Sequence, residues 1–499
     1  MRIAVVPSIW FVGFSGHRRV QDPEKILGLL TAELQKLRGQ AASHLVGIAS
    51  AAIGADQLFL QACRAEAIPY EVLFPFPEEE FKKDFEDADW QRTLDLCATA
   101  LKVRQGDANE TRPKGYLTCG VEVVDQCDVL VVVWNGLEAA GVGGTTEIVD
   151  YARRLERPLI WIHSETYEVK TENLPENPFQ DKTIASMRKC LGPESAGTEP
   201  AETTPREAVE RLFAKADEYA TRTAPAARGM AAGMVLLNLV VSILSCASAL
   251  AALGPPHSWL RTQSVLNVTR FVLFVFVFGV AASKLMKVRH SQWLICRFAA
   301  EVCRSILATW ELPVEPSLTS DGGPSEFAHL LRTLSFLRSI SADAPKEPDP
   351  AVLKRYVEKR IGEQIDHYRN KSAGLAPREK SLRTVFLISM ILTALLMVGL
   401  MITPLLWHWV HNMGLYKNVA TQLLSLTPMI ATSALSLIYV YEYQRRIVQY
   451  ERMIRLLTRY RAQILASPGG ASLGAHITRC EHTLVGEVQD WYYYGLYGK

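Results

Sequence analysis

Three segments of this 499-residue chain combine glycine with hydroxyl or cationic side chains in the way a phosphate site requires. In Gly13-Phe14-Ser15-Gly16-His17-Arg18 the glycines let the backbone approach a ligand, exposed amides can cradle an anion, and Arg18 can pair with it. Gly47 to Gln57 (GIASAAIGADQ) ends an apolar run in small residues, which allows close packing or admits a ligand. Gly143-Gly144-Thr145-Thr146-Glu147 follows another apolar run, and its threonine hydroxyls add to a second anion cradle. His17 reads as a turn residue, and nothing arranges a Ser-His-Asp or Cys-His set. Nine cysteines, an odd number without any Cys-x-x-Cys, read as buried free thiols in a reducing cytosol; neither a disulfide framework nor a metal site is expected.

The segments around these loops alternate between strand and helix signals. Phe11-Val12-Gly13, Val46 to Ala49, Tyr70 to Phe74, Asp128 to Trp134 (DVLVVVW) and Pro158 to Ile162 read as strands. The fourth is nearly all β-branched, as expected of a strand buried on both faces. Asp22-Pro23-Glu24 opens a helix with Ile26, Leu29, Leu30, Leu34 and Leu37 on one face, and helices are expected at 55–67 and 145–154. This order predicts a Rossmann-like α/β domain with a parallel sheet over residues 1–163. In such a sheet all three loops leave the carboxyl ends of strands and converge on one edge. The apolar stretch after Met1-Arg2 is a buried strand on this reading, since no small-residue cleavage site follows it.

Beyond residue 163 the character changes. Residues 164–202 are polar and rich in Pro, Glu and Thr, and read as a linker or loop. Thr204-Pro205-Arg206-Glu207 is a capping box that opens a juxtamembrane helix, completing a linker region 164–228. An all-α membrane region follows. Spans are expected at about 230–253 and 265–286 in a first hairpin unit (229–380), and at about 384–407 and 419–441 in a second (381–499), each with cytosolic helices. Basic residues such as Arg228, Lys284, Lys287, Arg378, Lys380, Arg445 and Arg446 flank one side, which predicts a multi-pass inner-membrane protein with both termini cytosolic. A net charge of +2 gives no field for nucleic acid, and none is expected as a partner. The triad Arg297, Glu301, Arg304 reads as a solvated helix pattern, and the arginines between Arg445 and Arg461 as an extension near anionic headgroups. Polar residues within the spans (Asn238, Ser242, Ser245, Thr393, Gln422, Ser425, Thr432) are the candidates to face a conducting path between subunits of a homo-oligomer.

The combination GFSGHR, GADQLF, FPFP, VVDQCDVLVVVWNG and GGTTEIV over residues 8–163 resembles the SLOG superfamily, the Rossmann-like group that contains DNA-processing proteins and the Lonely Guy nucleotide hydrolases. The resemblance implies that Ser15, Gly16, Arg18, Gly54, Asp56, Gly143, Gly144, Thr145, Thr146 and Glu147 line a nucleotide pocket beside Gly13. The Lonely Guy motif Pro-Gly-Gly-x-Gly-Thr-x-x-Glu lacks its leading proline here. Nucleotide binding is therefore what the resemblance implies; the alternative is a nucleotide N-glycosidase using Glu147 with Arg18, or a non-catalytic scaffold. The membrane half, with Arg297 to Glu301, Tyr356–Tyr368 and Glu487 to Trp491, resembles the SLATT family in tandem copies, the two hairpins being offset by about 150 residues so that Glu301 pairs with Glu451. SLATT proteins are regarded as membrane effectors of prokaryotic nucleotide-signalled defence that form pores. The two resemblances imply a sensor-effector with no resident cofactor. It would take a nucleotide-derived signal (a cyclic nucleotide or ADP-ribose derivative), respond in the lipid bilayer and act in antiviral defence.

Overall fold

The computed structural model describes residues 4–41, 44–107, 110–137, 144–192, 203–251, parts of 265–275, 284–312, 314, 324–341, 349–402, 413–467 and 470–497. They form two compact units. One comprises Met1–Phe213, Val302–Trp310 and Ser317–Ala344; the other comprises Ala214–Glu301, Glu311–Pro316 and Pro345–Lys499.

The first unit is built on seven strands: β1 (Ile9–Gly16), β2 (His44–Ala49), β3 (Tyr70–Phe74), β4 (Lys102–Gln105), β5 (Val129–Trp134), β6 (Leu159–His163) and β7 (Val169–Glu172). Their order is β4-β3-β2-β1-β5-β6-β7, all parallel except β7, which runs antiparallel on β6. Burial explains the parallel core: every residue of β5 and β3 is buried, and so are the first six of β1. The helices are α1 (Pro23–Gln40), α2 (Ala55–Ala65), α3 (Asp87–Cys97), α4 (Arg112–Gln126), α5 (Thr145–Arg154) and α6 (Lys182–Leu191). α1 begins as its sequence dictates, with the Asp22 carboxylate accepting the Lys25 amide and Pro23 at the first position, and it buries Ile26, Leu30, Leu34 and Leu37. The polar stretch 164–202, expected to be a linker, instead carries β7 and α6, which buries Ile184 and Met187. Strand β4 alternates half-buried and exposed residues, so it has no apolar run to announce it.

A helix from much later in the chain completes this unit. After α7 (Pro205–Ala251) and α8 (Lys284–Ala308), helix α9 (Ala328–Ser339) packs across the amino ends of β1 and β5. Its His329 ring stacks on Trp10 at 3.8 Å between centroids and shares a hydrogen bond with Ser8 Oγ at 3.1 Å. Thr333 Oγ1 accepts the Ile9 amide, and Phe336 meets Phe11 edge-on. Arg332 donates to the Gln126 and Cys127 carbonyls and pairs with Asp128, whose other oxygen accepts the Phe11 amide. Burial pushes Asp128 above the usual carboxylate range, and Arg332 opposes that shift. Arg304 lies over the Phe213 ring.

The second unit is helical. The capping box at the start of α7 forms as expected, Thr204 accepting the Glu207 amide and Glu207 accepting the Thr204 amide. α7 then continues unbroken for 47 residues into an apolar stretch. α10 (Pro350–Arg355) passes through a π-helical turn, Tyr356–Gly362, into α11 (Glu363–Ile402). α12 (Met413–Tyr441), α13 (Tyr443–Ala466) and α14 (Gly470–Tyr497) follow. Among the described residues three helices are long and apolar enough to cross a membrane, with apolar stretches in Ala231–Ala249, Pro350–Ile402 and Lys417–Ala466. The span expected at 265–286 lies for the most part outside the described residues, as do the loops 254–264 and 403–412. Thr393 Oγ1 bonds to Thr427 Oγ1 at 2.8 Å, so this hydroxyl joins α11 to α12. Asn238 is exposed in the α7 stretch.

The base of this bundle corrects the solvated reading of Glu301. That carboxylate is buried, 3.0 Å from Arg360 Nη1, and Arg360 in turn holds Glu481 at 2.7 Å. The Tyr356 hydroxyl donates to Glu481 as well. Arg297 approaches Glu301 at 3.8 Å. Nearby, burial pushes Glu487 up to about 7 while it accepts the Trp491 indole N–H. Glu451, its expected counterpart at the 150-residue offset, is exposed. Of the arginines from Arg445 to Arg461, Arg445 lies over the Tyr494 ring at 3.6 Å, while Arg452, Arg455 and Arg459 are exposed.

Candidate functional site

In the first unit the strand order reverses between β1 and β5: from β1 the chain steps outward to β4, then crosses back to β5. The loops leaving these two strands diverge, and a crevice opens at the carboxyl edge of the sheet. A cavity of about 900 Å³ occupies it. Residues 15–19 after β1 line one side. Ser50, Ala52 and Asp56 come from the β2 loop and the start of α2, and Tyr116, Cys119 and Gly120 from α4. Asn135, Leu137, Gly144, Thr145 and Thr146 come from the β5 exit and the start of α5.

Local geometry explains how the chain builds this cavity. Gly54 has φ +96°, and a Cβ there would sit 2.3 Å from the Arg18 carbonyl oxygen, so glycine lets the β2 loop press against the β1 loop. The contact is closed by the Ala55 amide donating to the His17 carbonyl. Ala51, fully buried in the same loop, also holds a positive φ, 58°, a conformation that costs a residue other than glycine about 1–3 kcal/mol. His17 Nε2 accepts the Asn135 amide at 3.1 Å and lies 3.2 Å from its side-chain oxygen, which in turn accepts the Leu137 amide. His17 therefore shapes the β5 exit. The first turns of α2 and α5 have no side-chain cap, which leaves amide-rich helix starts at the cavity edge.

Two side chains give the cavity its chemistry. The Arg18 guanidinium lies 4.6 Å from the centroid of the Tyr116 ring, with a long contact to Asp84 at 4.0 Å and its side chain 54% exposed. Asp84 engages Arg112 at 2.6 Å and the Tyr116 hydroxyl more closely, so Arg18 is steered over the ring yet remains available to an anion. Asp56 is buried at the start of α2. Desolvation pushes its carboxyl up to about 6, opposed by bonds from Ser50 and the Ala52 amide and by the charge on Arg18. An acid whose folded pKa lies above its unfolded one stabilises the fold below the unfolded value, 3.8, and loses that contribution by about pH 6. At neutral pH the ionised Asp56 is thus held at a cost to the fold.

The cavity brings together Ser15, Gly16, Arg18, Asp56, Gly144, Thr145 and Thr146 of the expected site. Gly13 is not among its lining residues: a Cβ there would meet Cys127 and Val123 at 2.8 Å, so it serves the packing of α4 on β1. Gly54 acts behind the lining as described. Glu147 sits in the first turn of α5 but does not line the cavity, and Gly143 lies outside the described residues. Sequence reading missed Tyr116, Asn135, Ser50 and Asp84; Tyr116 lies on α4, a helix with no glycine loop to mark it. Among the described residues no group of three or more His, Cys, Asp or Glu is placed to hold a metal.

Residues 356–491 match the family model of the SMODS and SLOG-associating 2TM effector domain 1, a SLATT domain. The match takes in the apolar parts of α11 and α12, in keeping with two membrane helices, and one of the two expected copies. It implies a membrane-associated effector linked to SMODS and SLOG nucleotide-signalling systems, and leaves the α/β unit unassigned. No curated protein matches the chain.

Proposed function

We propose that the α/β unit is a SLOG-like sensor that binds a nucleotide-derived signal in the β1–β5 crevice, and that the membrane helices respond by permeabilising the bilayer in antiviral defence. The observation that carries the reading is the crevice itself, where Arg18 over Tyr116 and two uncapped helix starts face one cavity, in a chain whose other part matches a 2TM effector domain. Arg18 and the amides of the α5 start hold phosphate, the Tyr116 face takes a base or ribose, and Asp56 bonds ligand hydroxyls. Both hairpins act as SLATT-like modules with the termini in the cytosol, and the conducting path forms between copies of the chain. Nucleotide hydrolysis through Glu147 has less support, because among the described residues the carboxylate that lines the cavity is Asp56.

The test is titration calorimetry of the full chain with ADP-ribose and with a cyclic dinucleotide. Neither ligand titrates near pH 6 at its phosphates, so any pH dependence belongs to the protein. Ionising Asp56 adds a negative charge to a cavity that holds phosphate. Affinity should therefore fall roughly fivefold between pH 5 and pH 7, the scale of about 1 kcal/mol of charge repulsion, with its midpoint near the Asp56 value of about 6. Asp56→Asn should flatten the profile. Absence of binding by both ligands across this range contradicts the sensor reading.

A further inference from the structure

We infer that α9 is a latch through which occupancy of the cavity is passed to the membrane helices. The inference rests on the nucleotide-sensor reading above and adds its route. Two strands carry both ends of the connection. The carboxyl end of β1 leads into Ser15–Arg18, and the carboxyl end of β5 into Asn135 and Leu137, all at the cavity. The amino ends of the same strands are what α9 grips, through Ser8, the Ile9 amide, Trp10 and Phe11 on β1 and Asp128 before β5. The eight residues of β1 span roughly 25 Å and so join the gripped end to the cavity end.

The grip is directional. Arg332 reaches two carbonyls and a buried carboxylate at once, and Thr333 accepts the Ile9 amide at the start of β1. Such contacts are satisfied in one register and broken in the next, which is the two-state behaviour a coupling element needs. The output side is equally defined. Arg338 donates to the Thr309 carbonyl at 2.7 Å and so ties α9 to the residue just after α8. α8 runs without a break from Lys284, at the end of the expected second span, to Ala308. Release of α9 frees the end of a helix that leads directly to the first hairpin. In this scheme the docked α9 is the resting arrangement, and occupancy of the cavity releases it.

The experiment uses the full chain, in detergent for hydrogen exchange and in vesicles of phosphatidylethanolamine and phosphatidylglycerol for dye release. Arg332→Gln keeps some hydrogen bonding but removes the charge facing Asp128; Thr333→Val removes the Ile9 contact and keeps volume, and it serves alone if the first variant does not fold. The latch predicts exchange in α9 roughly tenfold to hundredfold faster and dye release without any nucleotide. Vesicles that stay tight while α9 exchanges freely overturn the proposal, as does an α9 that remains protected in every folded variant. Because these arms need no nucleotide, they are decided even if ADP-ribose does not bind. Failure of ADP-ribose and a cyclic dinucleotide to protect Ser15–Arg18 in the unaltered chain counts instead against the sensor reading.

Discussion

Arg360→Met is expected to destabilise the helical unit by about 3–5 kcal/mol, the range for breaking a buried ion pair from one side. Arg360 is 6% exposed and faces Glu301 at 3% and Glu481 at 0%. Its loss leaves two buried carboxylates, one with the Tyr356 hydroxyl and one with the more distant Arg297. A triple variant, Glu301→Gln, Arg360→Met and Glu481→Gln, should recover most of the loss, since replacing a whole buried charge cluster by neutral groups is often neutral or stabilising. Unfolding of the full chain in mild detergent measures both. A single-variant loss under about 1 kcal/mol would mean that the cluster is solvated in the working protein.

Arg18→Ala should weaken nucleotide binding about 10- to 100-fold, the equivalent of roughly 1.5–3 kcal/mol for a charge-assisted hydrogen bond. Fold stability should change little, because the side chain is more than half exposed and its ion pair with Asp84 is long. Arg18→Lys should recover only part of the affinity, since an ammonium neither stacks on Tyr116 in the same way nor offers a planar fork to phosphate. Equal affinity in Arg18→Ala and the parent chain would move the phosphate away from the β1 loop.

The parallel core was legible because its signals are local. DVLVVVW, nearly all β-branched, is what a strand buried on both faces requires, and glycine-bearing loops after such runs point to one sheet edge. Arg18 and Thr145 could be placed for the same reason, and Asp56 through the resemblance to the SLOG superfamily. What was not legible depends on partners far along the chain. Gly13 and Gly16 look alike in sequence, yet Gly13 faces Cys127, so packing rather than composition separates them. Glu301 has the spacing of a solvated helix pair, and its burial becomes evident only with Arg360 and Glu481 beside it. α9 reads as one more amphipathic helix between two expected hairpins; nothing near residue 332 announces that its arginine belongs to Asp128, some two hundred positions earlier. Long-range docking of this kind leaves no periodic mark.

Opening of the membrane by a nucleotide in the β1–β5 crevice is the step on which the proposed function depends. It is tested most directly by dye release from vesicles containing the full chain, with ADP-ribose and a cyclic dinucleotide added in turn and binding measured on the same preparation. Whichever ligand binds should also release dye, at concentrations that track its affinity, and Arg18→Ala, inserted to the same level, should shift the response about 10- to 100-fold to higher concentration. A ligand that saturates the crevice while the vesicles remain tight would contradict it.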